Sequence, residues 1–374
     1  MSEDPSWMIY GAYGFMGQKL ARTALSLGLK PVLAGRDSNK LAELSERLNL
    51  SAKSFALQAT PIETWIKGQK LLINCASPFN ETSSLLRQAC RSQKIHYLDL
   101  SPELLSIESS LHESNQWMDD QLTIVSGLCP ESLIGEAMAW KLKQTYPDLR
   151  SFSLEIYPSQ QNRPTKGSLA SAFEGFRAGT WSRRSGKMIA SSFPGTLRGS
   201  AHKEDTLLMR TAGAELTTLW QSLSLPDIDS WRLAPLSGTW GINLVGKLLP
   251  LLKIKAARSW AIQKIIDFST DENLTESGVE DFWFGEGAGS DGKLHWMTVK
   301  TENLSDLTAR ICLNLIRIML SNDFPAGFRT AGEILGGSTI FELVSENSEV
   351  IMGGRNNSAN EVAVHARSDD KTRK

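Results

Sequence analysis

Trp7-Met8-Ile9-Tyr10, then Gly11-Ala12-Tyr13-Gly14-Phe15-Met16-Gly17, then an amphipathic run ending in Pro31-Val32-Leu33-Ala34-Gly35-Arg36, is the stretch that decides the fold. A short apolar strand, a glycine-spaced turn, a helix and a second apolar strand make one βαβ unit of about thirty residues. The glycines stand where a dinucleotide-binding turn needs them: for the turn off the strand, for close approach to a pyrophosphate, and for packing of the helix on the sheet. The first N–H groups of that helix have no internal partners and carry partial positive charge, so they suit phosphate anions.

The end of the second strand bears on which dinucleotide. An acidic residue there would accept hydrogen bonds from the ribose hydroxyls of NAD. This strand instead ends Gly35-Arg36, and a guanidinium suits a 2′-phosphate and can stack on adenine. The expected cofactor is NADP(H). Asp37 would favour NAD if turned inward, but Asp37-Ser38-Asn39 before Lys40 also has the pattern of a helix cap.

Further along, apolar strands and amphipathic helices alternate. A helix over 39–48 is followed by strands over 53–57, 70–76, 96–100 and 122–125, with helices at 61–67, 82–92 and about 102–115 between them. This alternation predicts an α/β fold, a Rossmann-type doubly wound parallel sheet over residues 1–147, with ligands beyond the carboxyl ends of its strands. Near Tyr146-Pro147 the pattern changes to the polar–apolar alternation of Ser151 to Tyr157, the mark of a half-exposed strand. A second mixed α/β domain, for substrate or dimerisation, is expected over 148–302. It would hold a helix over 167–177, a basic turn at Arg183-Arg184, and strands near 281–284 and 295–299. Residues 303–352, opening with a long apolar helix from Leu304 to Leu320, would return to the first domain. The polar stretch 353–374 reads as a disordered tail.

Leu233 to Leu252 carries one charge, Lys247, and is followed by Lys253, Lys255, Arg258 and Lys264. Residues 233–264 therefore form a candidate peripheral membrane contact, or an apolar arm packed on the second domain or on the mate in a homodimer. Pro235, Gly238, Gly241 and Pro250 argue against a spanning helix.

Among 374 residues, Lys and Arg number 40 and Asp and Glu 41, so no overall field favours nucleic acid. Cys75, Cys90, Cys129 and Cys312 have no metal-ligand spacing, and no metal is expected. The start Met1-Ser2-Glu3-Asp4-Pro5 does not read as a targeting segment, so a cytoplasmic setting, membrane-peripheral if 233–264 meets lipid, is expected.

The chain resembles the saccharopine dehydrogenase-like oxidoreductases, including the branch described as trans-acting enoyl reductases. The resemblance lies in residues 7–17 and 31–36, in Leu72-Ile73-Asn74-Cys75-Ala76-Ser77-Pro78-Phe79, in His96-Tyr97-Leu98-Asp99, and in Pro325-Ala326-Gly327-Phe328-Arg329-Thr330 with the Gly336 turn after it. It implies an NADP-binding Rossmann domain, an inserted second domain and a last helix returning to the first. It also implies that Gly11, Ala12, Tyr13, Gly14, Phe15, Met16 and Gly17 bind the pyrophosphate. Gly35-Arg36 would meet the 2′-phosphate, and Cys75, Ala76, Ser77 and Pro78 would flank the nicotinamide ribose. Relatives read Thr-Gly-Glu where this chain has Ser101-Pro102-Glu103. They read Gly-Phe-Asp, then Pro-Ser-Asp, where it has Cys129-Pro130-Glu131 and Ile134-Gly135-Glu136. Both departures border the expected substrate pocket.

Hydride transfer to a C=C, C=N or C=O bond needs a cofactor and a proton donor. By position, Asp99, Glu103 and His96 are the candidate catalytic residues. Packing at the strand start for His96, and helix capping for Asp99 and Glu103, are the structural alternatives. Cys129 lacks an adjacent base and reads as a quiet buried thiol. Trp181, Trp220, Trp231, Trp240, Trp260, Trp283 and Trp296 fit a pocket for an apolar acceptor or ordinary core use. Arg163, Lys166, Arg177 and Arg183 could pair with substrate carboxylates or lie in solvent. Short-chain dehydrogenase chemistry is excluded, because no tyrosine has a lysine four residues on: those positions are Gly14, Gly17, Ser101, Arg150 and Gln161. The alternatives to an oxidoreductase are a non-catalytic NADP-binding redox sensor and a membrane-peripheral scaffold.

Overall fold

Strands whose residues are buried without alternation, such as Trp7–Tyr10 and Leu71–Asn74, must be covered on both faces, and only a sheet with helices on each side does this. The computed structural model describes residues 6–58, 61–159, 178–191, 197–204, 206–233, 280–322, 324–346, 348–356 and 359–366, with isolated residues at 167, 171, 172 and 175. Its first part runs β1 (Trp7–Tyr10), α1 (Phe15–Ser26), β2 (Val32–Gly35), α2 (Ser38–Leu48), β3 (Ala52–Ser54), α3 (Ile62–Ile66) and β4 (Leu71–Asn74). It continues with α4 (Phe79–Ser92), β5 (His96–Asp99), α5 (Leu104–His112), α6 (Ser114–Asp119), β6 (Thr123–Val125) and α7 (Pro130–Thr145). The second part holds β7 (Ser151–Tyr157), β8 (Thr180–Arg184), β9 (Lys187–Ser191), β10 (Leu197–Gly199), β11 (Leu207–Arg210), α8 (Glu215–Leu223), β12 (Asp227–Leu233), β13 (Glu280–Ala288) and β14 (Leu294–Glu302). The chain closes with α9 (Leu304–Ser321), β15 (Gly327–Phe328), α10 (Ala331–Leu335), α11 (Gly337–Ser345), β16 (Ser348–Asn356) and β17 (Ala359–Ala366).

The expected doubly wound sheet is present, in the order β15-β6-β5-β4-β1-β2-β3 and parallel throughout. The second sheet runs β10-β11-β12-β7-β13-β14-β16-β17, with the β8–β9 hairpin attached at β12. It is antiparallel except where β12 pairs with β7. In β7, Phe152, Leu154 and Ile156 belong to the main core. Tyr157 packs on the other face with Trp231 and Phe284. The main core is continuous across both sheets: it runs from Ile9, Ile73 and Leu98 through Leu133 and Met138 of α7 to Phe152, Leu154 and Trp283.

Several expectations need correction. The turn placed at Arg183-Arg184 is a strand end; the turn itself is Ser185-Gly186, where φ is 47° and 76°, the two positive values a tight hairpin of right-handed twist requires. Residues 303–352 do not all return to the first domain. α9 does, with Lys19 of α1 and Asp306 paired at 2.6 Å, and β15 extends the first sheet. β16, however, pairs with β14 of the second sheet. The disordered tail placed at 353 falls inside β16, and the chain runs on into β17 as far as Ala366. Val362 and Val364, spaced two apart, suit a strand, and polar composition alone conceals this. The stretch 233–264, beyond Leu233 itself, lies outside the described residues, as do Trp240, Trp260, Arg163, Lys166, Arg177 and most of the helix placed at 167–177. Among the described residues no helix is long and apolar enough to cross a membrane.

Candidate functional site

β1 and β4 are neighbours, and the chain leaves them in opposite directions, toward β2 and β5, which opens a crevice beyond their carboxyl ends. At that crevice Gly11 turns with φ +80°, and a Cβ on it would stand 2.8 Å from the Ala76 backbone nitrogen. A Cβ on Gly17 would stand 2.3 Å from the Gly11 carbonyl oxygen. Only bare backbone lets the turn, α1 and the β4 end come this close. No side chain caps α1 at Gly14, so its first N–H groups are left for an anion.

At the end of β2 the ambiguity over Asp37 resolves. Its Oδ1 accepts from the backbone N–H groups of Asn39 and Lys40, both at 3.1 Å, so its carboxylate caps α2. Tyr13 lies over Gly35, and its hydroxyl accepts from the Asp37 N–H at 3.3 Å. Arg36 beside them is exposed and has no ion pair among the described residues. An exposed guanidinium next to an aromatic ring, with the neighbouring carboxylate occupied, fits a 2′-phosphorylated adenosine.

The β4 end is held from beneath by Asn74, fully buried. Its amide donates to Thr82 Oγ1 and Tyr97 Oη, each at 3.1 Å, and its carbonyl accepts from Ala76 N at 2.9 Å. Cys75 to Pro78 follow, with a cis Ser77–Pro78 peptide. Burial, reinforced by Cys312 and Asp99, pushes the Cys75 thiol well up, so it is neutral.

The three candidate catalytic residues do not meet at one point. His96 stands at the amino end of β5, about 10 Å of strand away from the carboxyl ends. Its Nδ1 accepts from Thr123 N at 3.1 Å, and burial, aided by Lys70, lowers its pKa to about 4. It is remote from the crevice. Asp99 is at the right end but wholly enclosed. Its carboxylate accepts from Ser126 Oγ at 2.8 Å, from the backbone N–H groups of Gly127 and Ser101 at 3.1 Å, and from Ser83 Oγ at 3.4 Å. Burial raises its pKa, and those donors and Arg87 oppose the rise. The arrangement ties the loops after β5 and β6 to each other and to α4. Glu103 is a cap, but for α4 rather than for the helix that follows it: Oε1 accepts from Phe79 N at 2.9 Å and Oε2 from Asn80 N at 2.7 Å. Arg183 is spent as well, donating to the carbonyls of Leu216 and Gly186 and pairing with Glu108 at 3.2 Å. Of the tryptophans, Trp283 is in the main core, Trp220 lies against Arg183, and Trp231 is flanked by Arg198 and Arg210.

A cluster of which sequence reasoning singled out only Cys129 and Glu131 lies where the β6 end meets the second part of the chain. Gly127 faces Ala214 and Thr218 of the α8 entry, and Ser132 Oγ and Thr218 Oγ1 are 2.8 Å apart. Around this junction stand Cys129 and Glu131 at the start of α7, Glu215 at the start of α8, and Arg232 on β12, which is paired with Glu131. Burial, then Glu131 and Glu215, push the Cys129 thiol well up, so it is no nucleophile. Glu215 and Arg232 are about a hundred residues from Glu131, and no local pattern links them.

Residues 7–130 match the family described as the saccharopine dehydrogenase NADP-binding domain. Among curated proteins none matches the sequence. Among solved structures, the apo saccharopine dehydrogenase (L-Glu forming) of Saccharomyces cerevisiae aligns with a TM-score of 0.59 at 9% identity, over 93% of this chain and 99% of that one. At that identity the likeness establishes the fold. A probable dehydrogenase from Thermotoga maritima (TM-score 0.45, 12% identity, 90% and 94% of the two chains) and a Gfo/Idh/MocA family oxidoreductase from Vibrio cholerae (0.44, 10%, 91% and 97%) are too distant to carry an argument. Residues 7–130 thus carry a saccharopine dehydrogenase-type NADP-binding domain, and the chain as a whole shares its fold with the yeast enzyme.

Proposed function

We propose that the protein is an NADP(H)-dependent oxidoreductase that reduces a C=C, C=N or C=O bond of a small molecule held between the strand ends of the first sheet and the second sheet. The observation that carries this reading is the crevice beyond the carboxyl ends of β1 and β4 in an NADP-binding domain, where the Gly11 turn lies against Ala76 and no side chain caps α1. The bound cofactor supplies the hydride. The chain's own residues bind and orient. The turn from Gly11 to Gly17 and the free N–H groups of α1 hold the pyrophosphate, and Gly35-Arg36 with Tyr13 hold the adenosine end. Cys75 to Pro78 flank the nicotinamide ribose. Asp99, Asn74 and Glu103 position these loops without touching the reacting atoms.

The adenosine end is tested by titrating NADPH and NADH into wild type and Arg36→Ala. Loss of a charge-assisted phosphate pair is expected to weaken NADPH binding ten- to a hundredfold, about 1.5–3 kcal/mol, and to leave NADH binding nearly unchanged. Equal affinity for NADH and NADPH in the wild type, or an unchanged NADPH affinity in the variant, would refute this assignment. A panel of enals, imines and ketones supplied with NADPH then separates an enzyme from a sensor, since a sensor binds the cofactor and oxidises it with none of them.

A further inference from the structure

Gly35, the last residue of β2, stands where a dinucleotide-binding strand commonly carries the acid that reads the ribose hydroxyls. The backbone does not demand a glycine there. Gly35 is an ordinary strand residue, in register with Ser54 of β3, and is not among the glycines with positive φ. What excludes a side chain is Tyr13. A Cβ on Gly35 would stand 2.5 Å from Tyr13 Cε1, 3.1 Å from Cδ1 and 3.4 Å from Cζ, so the ring lies across that position. Tyr13 is anchored. Its ring packs against the main core, its carbonyl accepts from Gln18 Nε2 at 2.9 Å, and its hydroxyl accepts from the Asp37 N–H at 3.3 Å. Asp37, the next acid along the chain, has its carboxylate on the N–H groups of α2. One tyrosine thus fills the place of one possible ribose acceptor and holds the backbone of the other.

Resting on the NADP(H) reading above, we propose that Tyr13 is the residue that determines cofactor choice. Arg36 attracts a 2′-phosphate, and Tyr13 rejects the alternative by keeping a carboxylate away from a free 2′-hydroxyl. A guanidinium alone discriminates incompletely, because its donors also suit a hydroxyl and its plane stacks on any adenine. Specificity needs an element that disfavours the competitor, and here it is the missing acceptor. An aromatic ring over bare backbone gives the ribose diol of NAD(H) no charged partner. Cofactor choice is therefore a property of a pair, Tyr13 from the turn after β1 and Gly35 from the end of β2. An aspartate at position 35 reads the ribose only when the ring is gone.

The test is a calorimetric titration of NADH and NADPH into wild type, Gly35→Asp, Tyr13→Ala, Tyr13→Ala/Gly35→Asp and Tyr13→Phe/Gly35→Asp. Gly35→Asp alone is expected to gain no NADH affinity over wild type. In the Tyr13→Ala background the same aspartate is expected to strengthen NADH binding roughly ten- to a hundredfold, as a hydrogen bond to a charged group does, and to weaken NADPH binding. Tyr13→Phe/Gly35→Asp keeps the ring and is expected to gain nothing. Equal NADH gains with and without the ring, or no gain in either background, overturn the proposal. Thermal unfolding without cofactor gives a second answer. Alanine in a strand is ordinarily no worse than glycine. Gly35→Ala is nevertheless expected to lower the unfolding midpoint by several degrees in the wild type, and to leave it level or higher in Tyr13→Ala. The same shift in both backgrounds refutes exclusion by the ring. Failure of the wild type to bind NADPH would instead refute the cofactor reading, and the melting comparison would still decide whether Tyr13 excludes a side chain at position 35.

Discussion

Asp99→Ala is expected to lower the stability of the protein by about 3–5 kcal/mol, a large share of the roughly 5–15 kcal/mol that holds a typical domain folded. The carboxylate is the acceptor for two backbone N–H groups, Gly127 and Ser101, and for the Ser126 hydroxyl. Alanine removes the acceptor and leaves the backbone donors, which cannot rotate away to find water in a fully enclosed site. Replacing a buried ion is harmless only when its partners go with it, and here they are main chain. Asp99→Asn, which keeps one carbonyl oxygen and the volume, should cost clearly less. Urea unfolding followed by tryptophan fluorescence measures both, and an alanine variant within 1 kcal/mol of wild type would contradict the loop-tying role. The same variant should bind NADPH more weakly, since Ser101 and Gly127 border the strand ends.

The second large effect is a pH dependence centred on Glu136. This residue lies on α7, nearly fully buried, and accepts from Thr330 Oγ1 and from Gly332 N at 3.2 Å. Burial outweighs those bonds and raises its pKa from 4.5 to about 7. A raised carboxyl pKa means that the folded state binds the proton more tightly than the unfolded state. Stability from this group is therefore fully present below about pH 4.5 and is lost as pH rises through 7, on the order of 3 kcal/mol in all. Glu136→Gln should remove the dependence: its amide can donate to Thr330 Oγ1 while its oxygen accepts from Gly332 N. Unfolding free energies of both proteins at pH 5, 6, 7 and 8 should diverge with rising pH in favour of the variant. A constant difference across that range would show that Glu136 does not titrate there.

What the sequence disclosed depended on whether a residue's role is local. The glycine turn from Gly11 to Gly17 carries its meaning in its spacing, and the apolar runs of β1, β2 and β4 carry theirs in length. The 18-residue α9 shows its face in a regular stripe. α7 does not, because Ser132 to Ala139 are buried on every side and a helix without a polar face has no periodicity to read. The short strands β8 to β11 were invisible for the opposite reason: Thr180–Arg184 and Leu197–Gly199 are polar or brief, and pairing across the sheet makes them strands. At the site, the choice between Asp37 as ribose ligand and Asp37 as cap needed only local geometry. The meeting of Glu131, Glu215 and Arg232 is a property of the packed molecule, as is Glu103 reaching back to α4.

One small element reaches beyond the site. β15 is two residues long, yet it closes the side of β6 with the Gly327 N–H on the Leu122 carbonyl at 2.8 Å and the Arg329 N–H on the Ile124 carbonyl at 2.9 Å. The nucleotide-binding sheet is thus finished by a stretch made some two hundred residues after the strand it pairs with. During synthesis the first half of the protein must wait with β6 as a bare edge, the kind of surface that recruits another chain. Severed near residue 147, the first domain would keep its full fingerprint and still be prone to aggregate.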